Sequence, residues 1–441
     1  MKLRDYQKKI ATEACEILNR LKFVYISAEV RCGKTLMALE ASRLFGAKNV
    51  LFVTKIKAIS SVQGDYDKFG FSESFKITIV NTESLHTIIG ELEVKVKAKM
   101  KELKDNKEKL EAYQKKIDEQ KKTLDGFDLI ISDEHHKYGA YPKPSGGQKL
   151  FKEKMQNKPV VCLSGTPSPE SYSQLYHQLN LTKYAPFSNY PTFYKWAKDF
   201  VEVRQKKLPH GTINDYTRAD RGKIFKIING YFITYTQKQA GFTTTINEEI
   251  LEVEMLPLTY SVIKKLEKDK VIQGDNDVIL ADTGVKLMQK VHQLYSGTVK
   301  FESGESIVLD YSKASFIKQK FQGKKIVIFY KFKAELDALK SVFKDYLTTD
   351  LNEFNASEKS IALQIVSGRE GINLSKASAI VYYNIDFSAV SYWQSRDRMT
   401  TIDRIDSKVY WIFAKGGIEH EIYKTVANKK DFTLSIYKQW N

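Results

Sequence analysis

Cysteine is scarce in this sequence. Cys15, Cys32 and Cys162 are the only three in 441 residues, far apart and without Cys-x-x-Cys spacing. That scarcity excludes a disulfide-stapled scaffold and a cysteine zinc site, and it points to a reducing, cytoplasmic compartment. Histidine is also sparse: seven residues, of which His135 and His136 are sequence neighbours rather than the i,i+4 pair of a helical metal site. Each is read as an ordinary structural histidine. No stretch of about 18 apolar residues occurs, so no membrane-spanning helix is expected. The opening MKLRDYQKKIATEAC has no apolar core of a signal peptide and is read as part of the folded chain. Internal repeats are not visible.

What the chain does have is positive charge: 70 Lys and Arg against 53 Asp and Glu, a net +17. Such a field favours a polyanionic partner, because it raises encounter rates with phosphate backbones; lysine-rich composition also serves solubility alone. The length exceeds what one hydrophobic core organises, so at least two domains are expected. Short apolar runs read as buried parallel strands: FVYIS (23–27), NVLFVT (49–54), KITIV (76–80), FDLIIS (127–132) and PVVCLS (159–164). A second set follows late: KIVIFY (325–330), IALQIVS (361–367), AIVYYNI (379–385) and KVYWIFA (408–414). Helical stretches alternate with them, which predicts an α/β fold of two parallel-sheet lobes, 1–240 and 241–441. NEEILEVEMLPLTYSVIKKLEKD (247–269) reads as a strand and helix opening the second lobe.

Two segments differ in texture. Residues 91–124 carry 11 lysines and 8 acidic residues, with Val96, Leu103, Leu110, Ile117 and Leu124 every seven residues. Inserted between two strands of one sheet, this arm must bring its ends together, which a helical hairpin turning near KDNK achieves. It is read as a solvated structural arm, with a grip on DNA or a partner protein as the alternative. Residues 183–235, aromatic and basic, are read as a helical extension of the first lobe; YPTFYKWAKDF (190–200) fits a packed helix better than a base-stacking platform.

The chemistry begins at SAEVRCGKTLMALE (27–40). FVYIS supplies a strand, AEVRCGKT a loop and LMALEASRLF a helix, the context in which Gly-Lys-Thr binds phosphate. Loop residues Arg31, Cys32 and Gly33 bring backbone N–H groups to phosphate oxygens at the helix start. Lys34 reaches the β- and γ-phosphates of ATP, and the Thr35 hydroxyl coordinates Mg²⁺. Ala28 stands where the usual pattern has its first glycine. Some 100 residues on, FDLIISDEHH places Asp133 and Glu134 at the end of a strand. Asp133 is assigned to Mg²⁺ through water and Glu134 to the general base.

DEHH is close to the DEAH-type box of superfamily 2 helicases and translocases, and further matches lie around it in order. LRDYQ resembles the amino-terminal adenine-reading motif, with Arg4 and Gln7 as nucleotide contacts. AEVRCGKT is similar to the SNF2-type loop, whose first position need not be glycine, although Arg31 replaces a usual glycine. LSGTP resembles motif III, assigning Ser164 and Thr166 to coupling. KIVIFYKFKAELDAL resembles motif IV, SGREGINLSKASAIVYYNIDFS motif V with Gly371 and Asn373 at its core, and YWQSRDRMTTIDR motif VI. The resemblance implies ATP hydrolysis between two RecA-like lobes, coupled to movement on nucleic acid. In motif VI, Gln394, Asp397 and Arg398 match, while Thr401 replaces the second arginine. Arg398 is the first choice for the arginine finger, Arg396 the second and Arg404 a remoter substitute; such a finger is worth roughly 10³–10⁵ in turnover.

The same resemblance assigns Thr54 and Lys55, then Asn81, Thr82 and Ser84, and from the second lobe Ser367, Gly368 and Arg369, to sequence-independent phosphate contacts. Small polar residues after strands are otherwise turn formers. The expectation is an ATP- and Mg²⁺-dependent, SNF2-like DNA translocase of the compact kind phages encode, serving replication, recombination or repair. Its DNA is duplex or branched, with RNA as a second candidate polymer. Two alternatives stand beside it: a strand-separating helicase, and a nucleic-acid-binding protein whose ATPase has decayed. One chain holds both lobes, so a monomer suffices.

Overall fold

The computed structural model describes residues 2–29, 31–168, 171–208, 211–241, 245–274, 277–365, 374, 376–388, 391–392, 395 and 406–428. The chain folds as two compact units, Met1–Ala240 and Gly241–Asn441.

In the first unit β1 (Phe23–Ala28), β2 (Asn49–Thr54), β3 (Lys76–Asn81), β4 (Leu129–Ser132) and β5 (Val160–Leu163) pair in parallel. A hairpin follows, β6 (Arg204–Leu208) and β7 (Gly211–Asp215), then β8 (Phe232–Tyr235). The main sheet has the order β3-β2-β4-β5-β1-β8. Its strands are near-continuous apolar runs because helices cover both faces; Phe23, Val24, Tyr25, Leu51, Phe52, Ile130, Val160 and Val161 have no exposed surface. Each such aliphatic side chain contributes about 1.5–3 kcal/mol by burial. The 183–235 extension is not simply helical. It holds the helices Phe193–Phe200 and Arg221–Ile228, the β6–β7 hairpin, and β8, which closes the sheet beside β1. Four residues are too short for a visible strand period; the free edge of β1 decides their conformation. Phe193, Trp196, Ala197 and Phe200 are buried, the packed reading of 190–200, while Tyr194 faces solvent.

The arm is two helices, Glu93–Glu102 and Lys107–Asp125, with Asn106 capping the second through its side chain to the Lys109 N–H at 3.1 Å. The turn interrupts the seven-residue stripe, and Leu124 is the one buried side chain among its helical residues. Gln120 Nε2 donates to the Thr87 carbonyl at 2.9 Å and ties the arm's root to the lobe.

The second unit opens with β9 (Thr245–Val253) and the helix Pro257–Asp269. Two small hairpins follow, β10 (Val271–Gln273) with β11 (Val278–Leu280) and β12 (Thr298–Lys300) with β13 (Ser306–Val308). Its six-stranded parallel sheet uses β14 (Ile326–Tyr330), β15 (Leu347–Thr348), β16 (Ser360–Gln364), β17 (Ala379–Tyr382) and β18 (Asp406–Ala414), in the order β15-β16-β14-β17-β18-β9. Both units are therefore α/β parallel-sheet lobes. Among the described residues no helix is long and apolar enough to cross a membrane.

Candidate nucleotide site

β1 runs into the loop before Lys34, and the helix Lys34–Phe45 starts from Gly33 at φ 82°. A Cβ on Gly33 would meet Gln7 Nε2 at 2.3 Å, so both handedness and close approach demand glycine there. Gln7 Nε2 donates to the Cys32 carbonyl at 3.4 Å, and the Tyr6 hydroxyl donates to the same oxygen at 3.2 Å. Gln7 Oε1 in turn accepts the Arg4 N–H at 3.0 Å, so the LRDYQ segment rests directly on the loop. Arg31 takes φ 65°, a conformation glycine adopts freely and other residues at a cost of about 1–2 kcal/mol. Lys34 Nζ donates to the carbonyls of Ala28 at 2.8 Å and Glu29 at 3.2 Å. The loop thus curls around an ammonium group, with Thr35 half-buried in the first helical turn.

The acidic pair follows β4, which β5 separates from β1 in the sheet. Asp133 Oδ2 accepts the Thr54 hydroxyl at 2.7 Å, and Oδ1 accepts the Glu134 N–H at 2.9 Å. Burial, then the adjacent Glu134 charge, raise the Asp133 carboxyl above its ordinary value, while Thr54, Lys34 and Lys137 act against that rise. The field of Lys34 therefore reaches the acid, bringing loop and acidic pair into one electrostatic site. Glu134 is held in the left-handed region at φ 47°, a strain of about 1–3 kcal/mol that directs the chain into the turn His135–Tyr138.

The two histidines separate sharply. His135 is fully buried, with Nδ1 at 2.8 Å from Ser132 Oγ and Nε2 at 3.1 Å from the Gln178 carbonyl; burial pushes it down to about 3. It is a core residue. His136 Nδ1 lies 3.2 Å from Glu134 Oε2 and 3.0 Å from Ser164 Oγ, which also accepts the Thr166 N–H at 3.1 Å. His136 joins the acidic pair to the loop after β5. Sequence reasoning also passed over Lys137. Its ammonium donates to Thr82 Oγ1 at 2.5 Å, and burial brings it down to about 8 despite the attraction of Asp133 and Glu134.

The expected nucleic-acid contacts of the first lobe fare differently from one another. Thr54 is fully buried and its hydroxyl is committed to Asp133, so it supports the acid and does not present a surface donor. The Thr82 N–H and hydroxyl both donate to the Thr54 carbonyl, at 2.9 and 3.1 Å. Asn81 Oδ1 accepts the Ser84 N–H at 2.7 Å, a turn-forming bond. Lys55 is half-buried, and its charge bears on Lys137. The second-lobe assignments, Ser367, Gly368, Arg369, Gly371, Gln394, Arg396 and Arg398, lie outside the described residues.

The residues present fit a nucleoside triphosphate with Mg²⁺. The loop is shaped around a cation beside a glycine cradle, and a carboxyl raised by burial and a like charge is one that a divalent cation stabilises. The Thr166 hydroxyl is buried without a partner among the described residues, as beside a polar ligand. No cluster of three His, Cys, Asp or Glu occurs among those residues.

Residues 1–169 match the protein-family model described as "Type III restriction enzyme, res subunit". No curated protein matches the chain. Among solved structures, the Sulfolobus solfataricus SWI2/SNF2 ATPase core in complex with dsDNA is similar at 13% identity and a TM-score of 0.41, over 100% of this chain and 92% of that one. The Sulfolobus solfataricus SWI2/SNF2 ATPase core domain is similar at 14% identity and a TM-score of 0.40, over 100% and 90%. Residues 27–35 and 133–136 both fall within the matched span.

Proposed function

We propose that the chain is a DNA-dependent ATPase that couples turnover to movement along, or remodelling of, duplex or branched DNA in replication, recombination or repair. The observation that carries the reading is the series Glu134–His136–Ser164, which ties the acid placed to activate water to the neighbouring strand loop. The net charge of +17 supports the polyanionic partner.

Lys34 leaves the Ala28 and Glu29 carbonyls for the β- and γ-phosphates, exchanging neutral acceptors for charged ones. Thr35 and Asp133 would hold Mg²⁺, which would supply neutralisation of phosphate charge. Glu134 accepts the proton of the attacking water, and His136 passes the change at that carboxylate to Ser164. The arginine-finger role of Arg398, with Arg396 as the alternative, belongs to this proposal. The test is phosphate release with and without duplex, forked and single-stranded DNA and RNA, using Lys34→Ala and Glu134→Gln as controls. Turnover that rises with DNA and falls steeply with salt is expected; an unmutated chain indifferent to every polymer ends the proposal. Displacement of a labelled strand would redirect it to a strand-separating helicase.

A further inference from the structure

We infer that Lys137 is a positioning residue, relaying the state of the Thr82 turn to the acidic pair. The inference rests on the reading of that turn as a DNA contact. Lys137 lies in the turn His135–Tyr138, and its ammonium donates to Thr82 Oγ1 at 2.5 Å. Thr82 is fastened by its N–H and hydroxyl to the Thr54 carbonyl, at 2.9 and 3.1 Å. The Thr54 hydroxyl is on Asp133 Oδ2 at 2.7 Å, and Asp133 and Glu134 both attract the Lys137 charge. These groups close a ring across the ends of β2, β3 and β4.

Two links in the ring differ in kind. Thr54 holds Asp133 by a directional bond from a fully buried residue. Lys137 carries its charge on a long stem, bonded to one hydroxyl and lying within the field of two carboxylates. A strand that displaces Thr82 takes away the neutral partner and lets the ammonium move against the acids, changing the field at the reacting water. The relay needs no motion of the sheet. It is separate from the His136–Ser164 contact, which leaves the acidic pair on the other side, toward β5.

The readout is the ratio of DNA-stimulated to basal turnover in the full chain, with duplex affinity measured by anisotropy of a labelled duplex. Thr82→Val keeps the shape and deletes the hydroxyl; Thr82→Ser keeps the hydroxyl. The ratio should fall about tenfold in Thr82→Val and stay near that of the unmutated chain in Thr82→Ser. Lys137→Met should match Thr82→Val, and the double variant should lose nothing further. An unchanged ratio in Thr82→Val, losses that multiply in the double variant, or a fall explained by lost duplex affinity would each overturn the relay. If DNA fails to stimulate the unmutated chain, the relay falls with its parent reading, and that arm alone identifies the case.

Discussion

Asp133 and Asp386 occupy comparable places, each a partly buried carboxylate at the carboxyl end of a parallel strand in its own lobe. Burial alone would raise Asp386, but Lys331 at 2.7 Å, the Ser391 hydroxyl at 2.8 Å and the Phe387 N–H at 2.9 Å outweigh it and hold the carboxyl low. Asp133 has a hydroxyl and one N–H but, among the described residues, no cation in contact, and a second acid stands beside it, so its carboxyl is held high. One acid is paired with a cation of its own lobe; the other, in the proposed reading, is the one a ligand would complete. The mark of the site is incomplete compensation rather than acidity.

Substitutions should split the two carboxylates apart. Asp133→Asn and Glu134→Gln should lower phosphate release at least about 10²–10³-fold while a fluorescent nucleotide still binds. Asp386→Asn should leave turnover within a few-fold and cost about 1–3 kcal/mol in urea unfolding, because Lys331 loses its partner. Turnover lost equally in all three would erase the distinction. Next in size, His135→Ala should destabilise by about 2–4 kcal/mol through the orphaned Ser132 and Gln178 groups, whereas His136→Ala should change stability by under about 1 kcal/mol and slow turnover about tenfold. Thr54→Val, which removes the donor on Asp133, should weaken turnover by a smaller factor of about three to ten and shift its Mg²⁺ dependence.

Acidity gives the gentlest test. His135 is pushed down to about 3, and burial lowers His177 and His292 as well. As pH falls below the ordinary histidine value of about 6.5, the unfolded chain takes up protons the folded chain refuses. Stability present at neutral pH should therefore be lost progressively toward pH 3, by up to about 1.4 kcal/mol per pH unit for each such histidine. Replacing His135 with Gln should flatten that dependence in urea unfolding measured across the range.

The strands that hold the candidate site were legible because buried parallel strands are plain apolar runs and the Gly-Lys-Thr loop is local in sequence. The missed features depend on distance along the chain. Thr54 and Asp133 meet across 79 residues, and Lys137 and Thr82 across 55, with nothing in either segment naming the other. His135 and His136 look alike in sequence, yet the strained turn at Glu134 sends one ring into the core and the other toward Ser164. β8 was invisible for a related reason: its conformation is imposed by a partner at the far end of the lobe.

That pairing also orders events during synthesis. Phe232 aligns with Tyr25, so the first strand of the lobe waits for about 200 further residues, roughly 10–40 s at the usual elongation rate of about 5–20 residues per second. Throughout that interval the edge of β1 that β8 will cover lacks its partner, and an unpaired edge is a template for stray strands. A chain halted before residue 232 should accumulate as aggregate, and one released after residue 240 as a soluble lobe.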